Sequence, residues 1–216
     1  MDLHDTIPET ALAWHRAGRG AALATVVETW GSAPRRVGAM LAVAGDGDMA
    51  GSVSGGCVEG AVVAEALDAI DSGRSTILTF GVSDDDAFAV GLACGGTIRV
   101  MVQPIGAGLP EAELDRICTA RAQRQPIAQV TDTTSWTTHS AAAEDHPDRF
   151  RSDRSGFADD GTTFLTIHNP PLRLVVVGAV HIAQALVPMA RIAGYDPVVI
   201  DPREAFATPA RFPETR

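Results

Sequence analysis

Segments of strand-like hydrophobic pattern alternate along the chain with segments of helical period, and this pattern predicts a mixed α/β fold. Apolar, β-branched runs of strand length recur along the chain, at Ala21–Thr29, Met40–Val43, Met49–Val53, Thr76–Phe80, Ile98–Val102, Ile127–Val130 and Thr163–His168. Amphipathic stretches of helical period lie between them, at Ile7–Ala17, Val58–Ile70 and Pro110–Gln123. The segment Gly45–Asp48 between two short strands is typical of a hairpin turn.

The last part of the chain has the pattern of a βαβ unit. Leu172–Ala183 is a continuous apolar run that leads into a helix over His181–Ala193, and Pro197–Asp201 is the next strand. Gly178 and Ala183 occupy the first and third positions of the dinucleotide-binding fingerprint. We therefore expect an incomplete Rossmann-like unit after the first domain.

An NAD(P)-dependent oxidoreductase is one function that this unit suggests. Asp201 follows Gly178 by 23 positions, near the spacing of the acid that binds the ribose, and Arg203 is available to a 2′-phosphate. Val180 occupies the second glycine position, where the backbone must approach the pyrophosphate, and this counts against a bound NAD(P).

The periodicity disappears from Asp132 to Gly161, where Thr, Ser, Asp, Arg and Gly dominate. Such a composition is typical of a long loop or linker. We therefore expect a first domain over residues 1–131, a polar linker or arm with a closing strand over residues 132–168, and a second domain over residues 169–216.

Composition and charge exclude several classes of protein. The net charge of −10 argues against nucleic acid as the main partner. No apolar run approaches the ~18 residues that span a bilayer, and the N-terminus lacks the pattern of a signal peptide. Three cysteines, an odd number, argue against a disulfide framework, so we expect a cytoplasmic protein without a membrane partner. All seventeen basic residues are arginine, which excludes a P-loop and a Schiff-base lysine.

The stretch Gly51-Ser-Val-Ser-Gly-Gly-Cys-Val-Glu-Gly60 is the strongest candidate for chemistry. It holds four glycines, two serines and a cysteine, and it connects a predicted strand to a predicted helix. Glycine-rich turns that open a helix present backbone N–H groups to anions. A thiol there is more readily ionised than a free one, so Cys57 is placed to bind metal or handle sulfur. The alternative is a tight turn around a small buried cysteine.

A second cysteine turn, Gly91-Leu-Ala-Cys-Gly-Gly96, carries Cys94 beside another predicted strand. Cys118 lies in an amphipathic helical stretch and is predicted to be part of the core. A zinc site that uses Cys57, Cys94 and a histidine is a further alternative, but no C-x-x-C or H-x-x-x-H spacing supports it.

Three motifs in the first domain closely resemble the XdhC/CoxI family: Thr25-Val-Val-Glu-Thr-Trp-Gly-Ser-Ala-Pro-Arg-Arg-Val-Gly38 and the two cysteine turns. Leu174-Val-Val-Val-Gly-Ala-Val-His-Ile-Ala-Gln-Ala185 and Val199-Ile-Asp-Pro-Arg203 resemble the opening of that family's Rossmann-type domain. The family's domain continues well past this point, so the chain is expected to be short relative to the family.

The resemblance implies an accessory protein for molybdenum hydroxylases rather than a catalyst. Such proteins bind the molybdenum cofactor as cargo while a cysteine desulfurase supplies its sulfido ligand, and they deliver it to the apoenzyme. Carried over by motif, Cys57 and Cys94 are the thiols at the molybdenum, and soft thiolates suit that metal.

The residues around Cys57 suit the rest of such a ligand. Ser54, Gly55 and Gly56 form the turn that suits a pterin phosphate, and Arg35 and Arg36 either add a bidentate contact or lie in a solvated loop. Glu59 and Asp84–Asp86 either tune the site or cap helices. The partners implied are the apoenzyme, the desulfurase and further copies of the chain in a homo-oligomer.

Overall fold

The computed structural model describes residues 6–31, 35–81 and 96–213. They form two compact units, and the boundary between them along the chain lies between Asn169 and Pro170. The first unit contains α1 (Ile7–Arg16), β1 (Ala21–Gly31), β2 (Met40–Ala44), β3 (Met49–Gly51), α2 (Glu59–Ser72), β4 (Thr76–Gly81), β5 (Gly96–Pro104), α3 (Glu111–Ala122), β6 (Ile127–Asp132), β7 (Thr138–Ala142), a 3-10 turn (Ala143–Asp145), α4 (Pro147–Ser152), β8 (Gly156–Phe157) and β9 (Thr163–His168). The second unit contains β10 (Arg173–Val177), α5 (His181–Ile192) and β11 (Asp196–Ile200). The mixed α/β fold predicted from the pattern is confirmed.

An antiparallel sheet forms the centre of the first unit, with the strand order β3-β2-β1-β5-β4 in the described part of the chain. Successive side chains of a strand point to opposite faces, and β1 is buried on both. Ala24 and Val26 face the cluster that α2 completes with Val62, whereas Leu23 belongs to the cluster with Leu114 of α3. This double burial explains why residues 21–27 of β1 are almost all apolar, whereas Glu28, which follows them, is exposed.

The polar linker or arm predicted for residues 132–161 is wrong, whereas the closing strand predicted at Thr163–His168 is present as β9. Residues 132–168 form β7 and β9, which both pair with β6, and β8, which pairs with β9. The result is an antiparallel sheet of order β7-β6-β9-β8 that belongs to the first compact unit. A buried polar network joins this sheet to β5. Gln103 donates to the Thr138 hydroxyl over 3.1 Å, and Gln129 donates to the Gln103 carbonyl oxygen over 2.8 Å. Polar residues in the segment therefore contribute to a buried structure rather than to a solvated loop.

The second unit is the predicted βαβ unit. β10 and β11 pair in parallel, with Val176 opposite Val199, and both valines pack against the α5 cluster that contains Ala183. On the opposite face of the strands, Val177 is 79% exposed. No helix within the described ranges has the length and apolar character needed to cross a membrane.

Candidate functional site

The segment between β3 and α2 forms a tight loop that only glycine permits at several positions. Gly51 has a φ of +94°, and a Cβ there would collide with the backbone oxygen of Met40. Gly55 and Gly56 also lie in the left-handed region, with φ values of 80° and 115°. The chain therefore turns back on itself before α2 begins.

The Glu59 carboxylate occupies the inside of this loop. Four consecutive backbone amides donate to it: those of Val53 (3.2 Å), Ser54 (2.9 Å) and Gly55 (3.1 Å) to Oε1, and that of Gly56 (2.8 Å) to Oε2. The Ser52 hydroxyl donates to Oε1 over 2.6 Å, and the Ser54 hydroxyl donates to Oε2. Glu59 is only 7% exposed. We call these six groups the donor ring.

The donor ring stabilises the charged form of Glu59. Burial by itself would raise the pKa of the carboxyl group, but the hydrogen bonds from Ser52 and Ser54 outweigh it and lower the pKa to about 2. The carboxylate therefore stays ionised in the folded protein down to a pH near 2. A negative charge in the first turn of α2 also interacts favourably with the helix dipole.

Cys57 lies just beyond the donor ring, with its side chain exposed to solvent. Its amide donates to the Ser54 hydroxyl oxygen over 3.0 Å, and the amide of Val58 donates to the same oxygen over 2.9 Å. The backbone on both sides of the thiol is thus fixed while the thiol itself is accessible. This geometry argues against the alternative of a small buried cysteine at this position.

The two arginines of the preceding loop differ in position. Arg35 Nε donates to the backbone oxygen of Ser52 over 3.2 Å, so its guanidinium lies against the Cys57 loop. Arg36 is exposed and lies 3.6 Å from a carboxylate oxygen of Asp153. The structure therefore brings Arg35, and not Arg36, to the candidate site.

The amides of Gly55 and Gly56 are engaged within the loop, contrary to expectation. The sequence suggests that the amides of Gly55 and Gly56 are available to an external anion, but both donate to Glu59. The Ser54 hydroxyl is engaged with the same carboxylate. The sequence did contain a signal, since an acidic residue follows the Gly-Gly-Cys turn in the first turn of the helix. Spacing alone did not reveal that its side chain folds back into the loop.

The other two cysteines, Cys94 and Cys118, differ in what the structure shows of them. Cys94 and Asp84–Asp86 lie outside the described residues, so the meeting of Cys57 with Cys94 stays a prediction. Cys118 is buried as expected, and burial together with the negative charge of Glu9 raises the pKa of its thiol to about 12. Among the residues that the structure describes, no three His, Cys, Asp or Glu side chains form a metal-binding group.

In the second unit, the candidate ribose-binding acid is engaged within its own chain. Asp201 accepts a hydrogen bond from the amide of Ala179 over 2.8 Å, and its two oxygens receive Nε and Nη2 of Arg203 over 2.9 and 2.8 Å. The side chain is fully buried, and the hydrogen bonds from Arg203 hold its pKa well below the ordinary value. Gly178 has a φ of 109°, as a tight strand-to-helix turn requires, and Ala183 is buried against the strands.

Comparisons with known proteins agree with this division. Residues 14–81 match the XdhC and CoxI family, and residues 174–216 match the XdhC Rossmann domain. The chain is 33% identical over 201 residues to the molybdenum cofactor insertion chaperone PaoD of Escherichia coli, covering 93% of this chain and 58% of PaoD. It is 28% identical over 211 residues to a probable xanthine dehydrogenase subunit of Bacillus subtilis, covering 90% of this chain and 63% of that protein.

The fold also matches a solved structure. A crystal structure described as a xanthine dehydrogenase from Bacillus halodurans superposes with a TM-score of 0.74 at 23% identity, over 96% of this chain and 66% of that one. At this identity the likeness concerns the fold alone. The chain spans about three fifths of the length of the two curated relatives.

Proposed function

The chain belongs to the XdhC and CoxI family, and on that premise we propose that it binds the molybdenum cofactor as cargo and delivers it to a molybdenum hydroxylase apoenzyme. The proposal is supported by the name of PaoD, a molybdenum cofactor insertion chaperone that resembles most of this chain. The observation that carries it is the exposed Cys57 thiol at the head of a loop whose backbone is fixed by hydrogen bonds.

Cys57 supplies the contact to the metal. A thiolate is a soft ligand and suits molybdenum, as well as the sulfido group that a mature cofactor carries. Since Cys57 is exposed, a large ligand reaches its sulfur without opening the core. Cys94 is proposed as the second thiol, from the second cysteine turn of the sequence.

Arg35 supplies the contact to the anionic end of the cofactor. The amides of Gly55 and Gly56 are engaged with Glu59, so a positively charged side chain is needed for the pterin phosphate. Arg35 lies against the same loop, and a guanidinium binds phosphate with two parallel hydrogen bonds. Arg36 contributes only if its exposed side chain turns from Asp153 toward the ligand.

Holding the cofactor, rather than transforming it, is the role that this site supports. A cysteine desulfurase is the proposed source of the sulfido ligand, and the apoenzyme is the proposed acceptor. Both meet the protein in the cytoplasm, where thiols stay reduced. Self-association is proposed as well, because large apolar side chains of the second unit, such as Val177 and Ile192, are exposed.

The oxidoreductase alternative gains no support from the second unit. Asp201 is buried and bonded to Ala179 and Arg203, so binding a ribose hydroxyl requires those bonds to break. Val180 lies at the start of α5, at the position where a nucleotide needs glycine.

Delivery of the cofactor is the direct test of this function. Protein loaded with the molybdenum cofactor is mixed with a molybdenum hydroxylase apoenzyme, and the activity gained is compared with that from free cofactor. We expect faster and more complete activation by the loaded wild-type protein, and no advantage for Cys57→Ala. Equal activation by both proteins and by free cofactor contradicts the proposal.

A further inference from the structure

Glu59 satisfies a set of donors that normally receives an external anion. Four successive amides, from Val53 to Gly56, converge on its two oxygens, and two serine hydroxyls complete the donor ring. Convergent backbone N–H groups of this kind form concave anion-binding sites in many proteins. In this chain the anion comes from the first residue of α2.

The hydrogen bonds of the donor ring continue to the backbone of the cysteine. The Ser54 hydroxyl donates to Glu59 Oε2 and accepts from the amides of Cys57 and Val58, so one side chain connects the carboxylate to the thiol-bearing residue. Ser54 is 3% exposed and Glu59 is 7% exposed, whereas Cys57 is exposed. The buried carboxylate therefore lies on the inside of the loop, and the thiol lies on the outside.

We infer that Glu59 is the positioning residue for Cys57. Its carboxylate fills the donor ring, fixes the loop with the thiol directed to solvent, and excludes the phosphate of the cofactor from the Gly55–Gly56 amides. The inference rests on the proposed function in one respect, since it assumes that the exposed thiol is the group that holds the cargo. The filling of the ring itself rests on the hydrogen bonds alone.

Without its carboxylate, the donor ring has several unsatisfied donors and a space of matching shape. Buried N–H groups that lose an acceptor are costly, and those that converge on an empty space favour the entry of a small anion. Formate carries the same carboxylate and fits the space that the Glu59 side chain leaves on truncation to alanine. Added formate therefore restores the occupied ring in such a variant, whereas in the wild-type protein the Glu59 carboxylate already occupies that space.

The test compares Glu59→Ala with Glu65→Ala, a truncation of another glutamate on α2 that forms no part of the donor ring. Melting temperatures of the full chain are measured in sodium formate and in sodium chloride at equal ionic strength. We expect Glu59→Ala to melt about 5–10 °C below wild type in chloride and to recover at least half of that loss in formate. Wild type and Glu65→Ala should show no difference between the two salts. An equal response of Glu59→Ala to both salts overturns the inference.

A second variant serves if Glu59→Ala does not fold. In Glu59→Gln the side chain keeps its size, but an NH2 group faces the donors of Gly56 and Ser54. Hydrogen exchange of the peptide over residues 52–58 should become at least tenfold faster than in wild type, while Glu65→Gln leaves it unchanged. Unchanged exchange in Glu59→Gln also overturns the inference.

Retention of the cofactor separates positioning from general stability. Glu59→Ala should retain the molybdenum cofactor poorly in chloride and regain retention in formate, whereas a variant that is merely less stable gains nothing from formate beyond chloride. If Cys57→Ala retains the cofactor as well as wild type, the proposed function fails while the melting experiment still decides the role of Glu59. If Cys57→Ala loses the cofactor and formate has no specific effect on Glu59→Ala, the function stands and the inference fails.

Discussion

His168 makes the stability of the first unit depend on pH in a calculable way. The side chain ends β9, is fully buried, and its Nε2 has no hydrogen-bond partner in the described part of the chain. Burial, and then the positive charge of Arg121, lower the pKa of its imidazole to about 3. In the unfolded chain the pKa of a histidine is about 6.5. Between these two values the unfolded state binds more protons than the folded state.

The direction and size of the effect of His168 on the free energy of unfolding follow from this difference in proton binding. Because the folded-state pKa is depressed, the contribution of a neutral His168 is fully present above about pH 6.5 and is lost as the pH falls toward 3. A pH of 5 is about one and a half units below the pKa of about 6.5 that His168 has in the unfolded chain. Protonation of His168 in the unfolded chain therefore lowers the free energy of unfolding by about 2 kcal/mol at this pH. Glu59 adds little to the pH dependence between pH 7 and pH 5, because its pKa is 4.5 in the unfolded chain and about 2 in the folded protein.

The perturbation is His168→Phe, which keeps a buried aromatic ring of similar size but removes the titration. Urea unfolding at pH 7 and pH 5 is followed by tryptophan fluorescence, which reports on the first unit because Trp14, Trp30 and Trp136 all lie in it. Wild type and the surface control His139→Phe should lose about 2 kcal/mol more than His168→Phe between the two pH values. If all three proteins lose the same free energy of unfolding between pH 7 and pH 5, the buried imidazole of His168 is not the source of the pH dependence.

Three further predictions concern the loop and the thiols. Iodoacetamide should modify Cys57 at least tenfold faster than Cys118 in the native protein, because Cys118 is buried and the pKa of its thiol is about 12. Peptide mass spectrometry measures both rates, and similar rates contradict the exposure of Cys57 and the burial of Cys118. Gly51→Ala should destabilise the protein by about 2 kcal/mol or more in urea unfolding, because a Cβ there collides with backbone. The control Gly47→Ala, at a position with φ +89° and open space, should cost about 1 kcal/mol. Equal costs for the two variants contradict the steric collision at Gly51. The pKa of Glu59 is lowered from 4.5 to about 2, so its contribution to stability is present above pH 4.5 and is lost as the pH falls toward 2. In Glu59→Gln the free energy of unfolding should therefore depend less on pH in that window. An unchanged acid unfolding transition contradicts the role of the donor ring.

Periodicity predicted the regular parts of the fold because burial there is decided locally. Residues 21–27 of β1 are buried on both faces, and α2 ends at Ser72, followed by Gly73 in the left-handed conformation that glycine favours after a helix. The residues from 132 to 161 were missed because β7 consists of small and polar side chains. Its position depends on pairing with β6 and on the bond between Gln103 and Thr138, which are distant in sequence.

The site was predictable to a similar extent. Glycine spacing and the cysteine identified the Cys57 loop, because glycine is required where the backbone turns sharply. The role of Glu59 was not predictable from spacing, since a glutamate in the first helical turn points either to solvent or back into the loop. Only the four converging amides decide between these orientations.

Molybdenum retention by matched alanine variants shows whether the Cys57 thiol holds the cofactor. Wild type, Cys57→Ala and Cys118→Ala are loaded with the molybdenum cofactor and passed through gel filtration, and the molybdenum that elutes with each protein is measured by elemental mass spectrometry. We expect Cys118→Ala to retain as much molybdenum as wild type, and Cys57→Ala to retain at least tenfold less. Equal retention by Cys57→Ala and Cys118→Ala contradicts the assignment of the exposed thiol as the group that holds the cargo.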